Sequence, residues 1–330
     1  MFTPHDMTTA LIMMITSAVC WGSWANTYKG VKNYRFELFY WDYAIGIFVI
    51  SLILGHTMGS SGHSGPTLAE NIHAAATSDI VYAMVGGAIF NLANLLLVAA
   101  IDMAGLAIAF PVSIGIALVV GVISSYAQHP QGNAELLAGG VLCAVIAVVL
   151  DGKAYGSLAG SGRAISRQSM IVCVVSGVLM GLWAPFMTRT MPHEVNGQTI
   201  GTLRPYAAAV FLTLGALLSC FIWNIYFMRR PLVGKPVSFR YFFSGPVSGH
   251  LLGFFGGCIW GVGMVFNLVA ANFTGVAISY AIGQSAPMVA ALWGVLAWKE
   301  FKGAPAKAYT YLVLMFVFYC LAIALVAHAN

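Results

Sequence analysis

Ten long apolar runs, separated by gaps that hold nearly all the charge, constrain this chain more than any other feature. The runs cover residues 7–28, 36–58, 79–101, 105–127, 135–150, 169–191, 205–228, 245–271, 274–298 and 308–327. A run of ~18 or more apolar residues matches the hydrocarbon thickness of a bilayer. Lipid offers no partner to an open backbone N–H or C=O, so each run is predicted to be a helix. The short alternating segments of a membrane β-barrel are not seen. Only 8% of the 330 residues are charged, against about a quarter in soluble domains. The predicted fold class is therefore an all-α membrane protein with ten transmembrane helices. Run one is expected to be retained. Pro4, His5 and Asp6 precede it, so it lacks the basic start of a signal peptide.

The basic residues divide by gap. Lys29, Lys32 and Arg35 fall in gap one–two, and Lys153, Arg163 and Arg167 in gap five–six. Arg229, Arg230, Lys235 and Arg240 fall in gap seven–eight, and Lys299, Lys302 and Lys307 in gap nine–ten. Thirteen of the 15 Lys and Arg residues thus share one face, leaving Arg189 and Arg204 on the other. The positive-inside rule makes the first face cytoplasmic, with both termini outside, in a bacterial-type inner membrane. Orientation and anionic headgroups account for the net charge of +5, so no nucleic-acid partner is implied. Seven of the eight histidines fall on the opposite face, as scattered surface residues or as a pH sensor. The six cysteines lie inside runs without metal spacing, so no metal site is predicted.

The chain repeats itself. GGAIFNLANLLLVAAIDMAGLAIAF from Gly86 meets GGCIWGVGMVFNLVAANFTGVAISY from Gly256 at a shift of 170 residues, pairing Gly86/Gly256, Gly87/Gly257 and Gly105/Gly275. Gly22, Trp24 and Ala25 recur at Gly181, Trp183 and Ala184. Runs one to five therefore correspond to runs six to ten. Five is odd, so the second half must cross the membrane inverted. The expected organisation is a first five-helix repeat at 1–151, a cytoplasmic linker at 152–168 and a second, inverted repeat at 169–330. Inverted repeats are typical of secondary transporters, with the site near the midplane at the repeat interface.

CWGSW in run one and AISYAIGQSAPMVAALWGVLAWKE in run nine resemble the drug/metabolite transporter superfamily. FYWDY, LRPYAAAVF and GQSAPMVAALWG resemble its ureide permease branch, and the chain is also similar to the glucose/ribose porters and the rhamnose–proton symporter. The resemblance implies proton-coupled import of a small neutral polar solute: a ureide or oxo-nucleobase, or alternatively a sugar or nucleoside. The central loop GKAYGSLAGSGRAISRQ carries no phosphate-binding GxxxxGK[ST], so no nucleotide or other cofactor is implied. A monomer and a homodimer are both compatible with the sequence.

Asp42, inside run two, is the proton-coupling candidate, because an intramembrane carboxylate is costly and functional by default. The alternatives are an ion pair with Lys29 or a shallow position. Glu37 is a second candidate, with a salt bridge to Lys29, Lys32 or Arg35 as the plainer role. Substrate-binding candidates are Trp24, Asn26, Asn91, Asn94, Trp183, Trp260, Asn267, Tyr280 and Gln284. Amides can read a neutral solute, and the repeat-related Trp24 and Trp183 can stack on a ring. Pro111, Pro185 and Pro287 are candidate helix breaks or gates. Arg189 and Arg204 either guide solute at the outer mouth or, for Arg189, pair with Glu194. No nucleophile–base pair or filter motif points to an enzyme or a channel.

Overall fold

The computed structural model of the chain describes residues 1–31, 34–61, 65–104, 106–158 and 166–329, apart from the side chains of Leu106, Ala107 and Phe110. Lys32, His63, Gly105, Arg163 and residues 159–165 of the linker lie outside the described residues.

Among the described residues there are ten helical spans long and apolar enough to cross a membrane. The first is α1 (Met7–Ser23) and α2 (Ala25–Lys29), interrupted at Trp24; the second is α3 (Phe36–His56). The short α4 (Leu68–Ala74) precedes α5 (Thr77–Ala104), α6 (Leu106–Gln128), α7 (Ala134–Gly156) and α8 (Arg167–Thr190). A hairpin of β1 (His193–Val195) and β2 (Gln198–Ile200) follows. Its two-residue turn places Asn196 and Gly197 at φ 51° and 76°, as an Asn-Gly turn requires. The seventh span is α9 (Pro205–Ser219) and α10 (Trp223–Arg229), and the short α11 (Arg240–Phe243) leads to α12 (Val247–Thr274). The ninth span is split into α13 (Val276–Gly283) and α14 (Ala286–Leu296), and α15 (Ala306–Ala327) completes the set.

Local chemistry sets the helix starts. The Asp6 carboxylate accepts from the Thr9 N–H at 2.8 Å and caps α1, and these Thr9 bonds hold it below its ordinary range. Thr67 and Glu70 form a capping box on α4. Asn133 accepts from the N–H groups of Glu135 and Leu136 to start α7. That helix runs six residues beyond the predicted end of the fifth span and encloses Asp151. A carboxylate had marked the boundary in the sequence; the helix continues through it.

Bonds between gaps confirm that the spans alternate in direction. Lys29 pairs with Glu300 at 2.5 Å, and Arg35 donates to the Lys235 carbonyl at 2.6 Å, both on the lysine- and arginine-rich face. On the opposite face, Asn71 donates to the Thr202 carbonyl at 2.9 Å, and Gln131 to the Phe273 carbonyl at 3.0 Å.

The principal helix neighbours are α5 with α8 and α9, α6 with α8, α12 with α1 and α3, α14 with α1, and α7 with α15. Two crossings are glycine-to-glycine. A Cβ at Gly87 would collide with the Leu212 carbonyl oxygen, and one at Gly215 with that of Met84, where α5 crosses α9. At the α3–α12 crossing a Cβ at Gly46 would strike the Phe254 oxygen, and one at Gly257 that of Tyr43. Backbones in this close contact are how helices associate where no hydrophobic effect drives them together.

Candidate functional site

Five helices carry a row of aromatic rings through the bundle. Trp260 of α12 stacks on Phe90 of α5 with centroids 4.4 Å apart, and on Trp21 of α1 at 5.8 Å. Trp183 of α8 meets Trp21 edge-on at 6.2 Å, and Tyr280 of α13 at 5.2 Å. Each such pair adds ~0.5–1.5 kcal/mol beyond burial. Small residues make the space: a Cβ at Gly263 would lie 2.8 Å from Trp21 Cδ1, and one at Gly283 would lie 2.8 Å from both Trp21 Cζ3 and Asn267 Nδ2.

A second cluster adjoins it toward the basic face. Tyr43 packs against Trp24 at 4.7 Å and Tyr40 at 5.3 Å. Asn94, one turn beyond Phe90 on α5, donates to the Tyr40 hydroxyl at 3.4 Å. Beyond it a cavity of about 270 Å³ opens at the basic face, lined by Tyr28, Arg35, Phe36, Glu37, Leu95 and Asp102 among others. On the other side of the row Tyr82 packs on Phe186 at 6.0 Å, and the Arg189 guanidinium lies 4.5 Å over the Tyr82 ring.

Buried polar atoms are normally paired. In and beside these clusters several are not: Trp21 Nε1, Tyr43 Oη, Asn91 Oδ1 and Asn267 Oδ1 have no hydrogen-bond partner. The two asparagines are anchored through their nitrogens. Asn91 Nδ2 donates to Ser219 Oγ at 2.7 Å and to the Ala216 carbonyl at 3.1 Å. Asn267 Nδ2 donates to the Ser279 carbonyl at 2.9 Å, and Ser279 Oγ returns a bond to the Asn267 carbonyl at 2.6 Å. Each amide is thus fixed with its oxygen unused.

The structure gathers Trp183, Trp260 and Tyr280 in the row, with Asn267 against its edge and Asn94 and Trp24 in the adjoining cluster. Trp24 does not face Trp183. Trp21 takes that role, and the Trp24 ring packs on Tyr43. Asn26 is also not in the site: its Oδ1 accepts from Trp298 Nε1 at 2.6 Å on the basic face. Tyr280 uses its hydroxyl on the carbonyls of Ala117 and Met180, each at 3.3 Å, so it contributes its ring. Gln284 sits at the break between α13 and α14, with Pro287 in the first turn of α14, where no N–H is needed. By contrast, α6 and α8 run unbroken through Pro111 and Pro185, since flanking turns can carry one missing bond.

Asp42 binds neither Lys29 nor the central row. Its Oδ2 lies 2.8 Å from His250 Nδ1 of α12, and Tyr34 Oη is 3.4 Å from the same nitrogen. Burial and the Asp42 charge push the Tyr34 hydroxyl above its ordinary range. Glu37 pairs with Arg35, as anticipated, and this pair holds the Arg35 guanidinium above its ordinary range. Arg189 lies over Tyr82 instead of on Glu194, which accepts from Thr199 Oγ1 at 2.5 Å. Arg204 precedes α9, its N–H donating to Asn71 Oδ1 at 2.9 Å. Sequence inspection missed Trp21, Phe90, Tyr40, Tyr43 and His250. CWGSW held the signal for Trp21, since its two tryptophans are three residues apart and share a helix face.

Comparison with known proteins agrees with this architecture. A crystal structure 16% identical to the chain superposes with a TM-score of 0.62, covering 96% of this chain and 97% of that one, and so shares its fold. Ureide permease 1 and ureide permease 2 of Arabidopsis thaliana are each 22% identical, over 86% of this chain and 87% of their own lengths. Ureide permease 4 of the same plant is 21% identical over 98% of both. The family pattern of the ureide permeases matches residues 39–170 and 159–329, two segments that overlap at 159–170 and take in the Asp42–His250 pair, the broken ninth span and every ring of the row except Trp21. With a match running through nine of the ten spans, this chain belongs to the ureide permease family.

Proposed function

We propose that the chain is a secondary active transporter that moves a small neutral ureide or oxo-nucleobase across the cytoplasmic membrane. One observation carries this reading: among the described residues a stacked aromatic row includes an unused indole N–H, Trp21 Nε1, and unused amide oxygens lie at Asn267, against its edge, and at Asn91, next in the chain to Phe90. A ureide presents N–H donors, carbonyl acceptors and a flat face, which complement the asparagine oxygens, Trp21 Nε1 and the rings in turn. None of the three ion pairs among the described residues includes a residue of the row, which suits an uncharged solute. The names of the plant relatives favour the same solute class.

Transport proceeds by alternating access between two inverted halves. The helix neighbours support this: exchanging the halves turns α5–α8 into α12–α1, α6–α8 into the ninth span against α1, and the Gly87–Gly215 crossing into Gly257–Gly46. The basic face is cytoplasmic by the positive-inside rule, so the cavity at Arg35, Glu37 and Asp102 is the inner vestibule. Asp42, paired with His250, carries the coupling proton. Because this pair lies off the row, substitution there separates coupling from binding. Asp42→Asn is expected to keep solute binding and to lose accumulation driven by a pH gradient.

The test is uptake into proteoliposomes with and without a pH gradient, competed by a panel of ureides, oxo-nucleobases, nucleosides and sugars. Competition by ureides or oxo-nucleobases, with gradient-dependent accumulation, is expected. Competition by sugars alone overturns the solute class. Accumulation indifferent to the proton gradient overturns the coupling.

A further inference from the structure

A second intramembrane carboxylate lies outside the site described above. Asp151 sits on α7 with 5% of its surface exposed, and its Oδ1 has no hydrogen-bond partner. It is five residues short of Gly156, about 7.5 Å from the helix end at 1.5 Å per residue. From that depth the short aspartate side chain cannot extend to the headgroup region as a long lysine or arginine side chain can. It is enclosed between α7 and α15 instead. The nearby carboxy-terminal end of α7 presents the negative end of the helix dipole, which adds to the cost of a charge there.

Among the described residues, the surroundings hold proton-carrying groups and no cation paired with Asp151. Tyr319 of α15 is fully buried, its hydroxyl unpartnered, and lies within electrostatic reach of Asp151. Tyr155 is four residues along α7, hence on the same face, and its hydroxyl donates to Glu300 Oε2 at 3.2 Å. Glu300 pairs through its other oxygen with the half-exposed Lys29. Lys153 of α7 and Lys307 of α15 are directed over the Tyr311 ring, at 5.9 and 5.6 Å. The packed helices α6 and α14 contribute only Tyr126, at the far end of α6. Tyr319 also lines a narrow cavity with Ser285, at the break of the ninth span.

An isolated buried carboxylate is resolved in proteins by neutralisation. We propose that Asp151 is a proton-binding site, reached from the basic face through Glu300 and Tyr155, with Tyr319 as the hydrogen-bond partner of one protonation state. One O–H bond forms on the carboxylate as a proton enters from water, and the site changes from −1 to neutral. A metal cation fits less well. Such ions take about six oxygen ligands, whereas no group of three or more His, Cys, Asp or Glu gathers among the described residues. The inference depends on the membrane fold and not on the transported solute.

Infrared spectroscopy of the full chain in phosphatidylcholine–phosphatidylglycerol vesicles, with no solute present, tests it. A protonated-carboxyl C=O band is expected near neutral pH, lost in Asp151→Asn and shifted in Tyr319→Phe. Should Asp151→Asn not fold, the Tyr319→Phe shift decides. The proposal is overturned if the wild-type band is missing, if it survives Asp151→Asn, if Tyr319→Phe leaves it unmoved, or if sodium abolishes it at constant pH. Because no solute is added, a wrong solute assignment leaves this result intact. Loss of the proton site likewise leaves solute competition readable.

Discussion

The two faces of the bundle beyond the aromatic row are held by different chemistry. On the face opposite the basic one, loops are tied by short bonds to backbone groups. The Asp79 carboxylate accepts from the Thr202 N–H at 2.8 Å and from its hydroxyl at 2.6 Å, and Thr202 Oγ1 accepts from the Ala76 N–H at 2.9 Å. Asn71 clasps the same segment from both sides. On the basic face there are partly exposed ion pairs, Lys29–Glu300 and, at the cavity, Arg35–Glu37. Exposed ion pairs contribute ~0–1 kcal/mol, whereas hydrogen bonds to a charged group contribute ~1.5–3 kcal/mol each. The difference is one of bond type: directional bonds to backbone groups on the face opposite the basic one, partly exposed ion pairs on the basic face.

Substitutions along this axis can break or sharpen the contrast. Trp21→Ala removes the ring that joins the row across both halves. At ~0.5–1.5 kcal/mol for each of its two ring contacts, packing stability is expected to fall by ~1–3 kcal/mol, and apparent solute affinity, read from uptake kinetics, to fall with it. Trp24→Ala, in the adjoining cluster, should cost clearly less, and equal losses would contradict the assignment of Trp21. Next in size, Asp79→Ala should release the Thr202 segment. Amide hydrogen exchange at residues 198–206 is expected to rise about 10-fold, as the loss of ~1.4 kcal/mol implies. Unchanged exchange there would mean that other contacts hold that face. Lys29→Ala should lower thermal stability by at most ~1 kcal/mol, an effect that high salt removes. A larger, salt-insensitive loss would erase the distinction between the two faces.

The smallest effect concerns pH at the face opposite the basic one. The His129 and His193 rings are 4.8 Å apart. Burial first, and then the neighbouring His193 charge, hold the His129 imidazole below its ordinary range. The fold therefore binds this proton less tightly than the unfolded chain does. Its contribution is intact above the unfolded value of ~6.5 and is lost as pH falls from there toward the folded value. A modest drop in Tm between about pH 7.5 and 5.5 is expected, and His129→Gln should flatten it.

The spans, their alternation and the break before Pro287 were legible because hydropathy, charge and proline act locally. Side-chain partners were not, because they are set where helices meet. Asp42 had several basic neighbours in sequence, yet the fold delivers His250 from more than two hundred residues away. The repeat aligned Trp24 with Trp183, but Trp24 packs on Tyr43 of the neighbouring helix and Trp21, one turn earlier, meets Trp183. Asp151 was read as the end of a span because its charge outweighed the apolar turn that follows; only the packing of α15 reveals that it is enclosed.

The paired-glycine crossings have a mechanical consequence. Most packed helices interlock through side chains, so turning one against the other means lifting knobs from holes. At Gly87 and Gly215, and at Gly46 and Gly257, bare main chain lies against the neighbouring main chain, so no knob has to be lifted at these points. Each seam is pinned one turn away by a polar tie, Asn91 to Ser219 in one and Asp42 to His250 in the other. A side chain added at any of these four glycines would have to push two backbones apart.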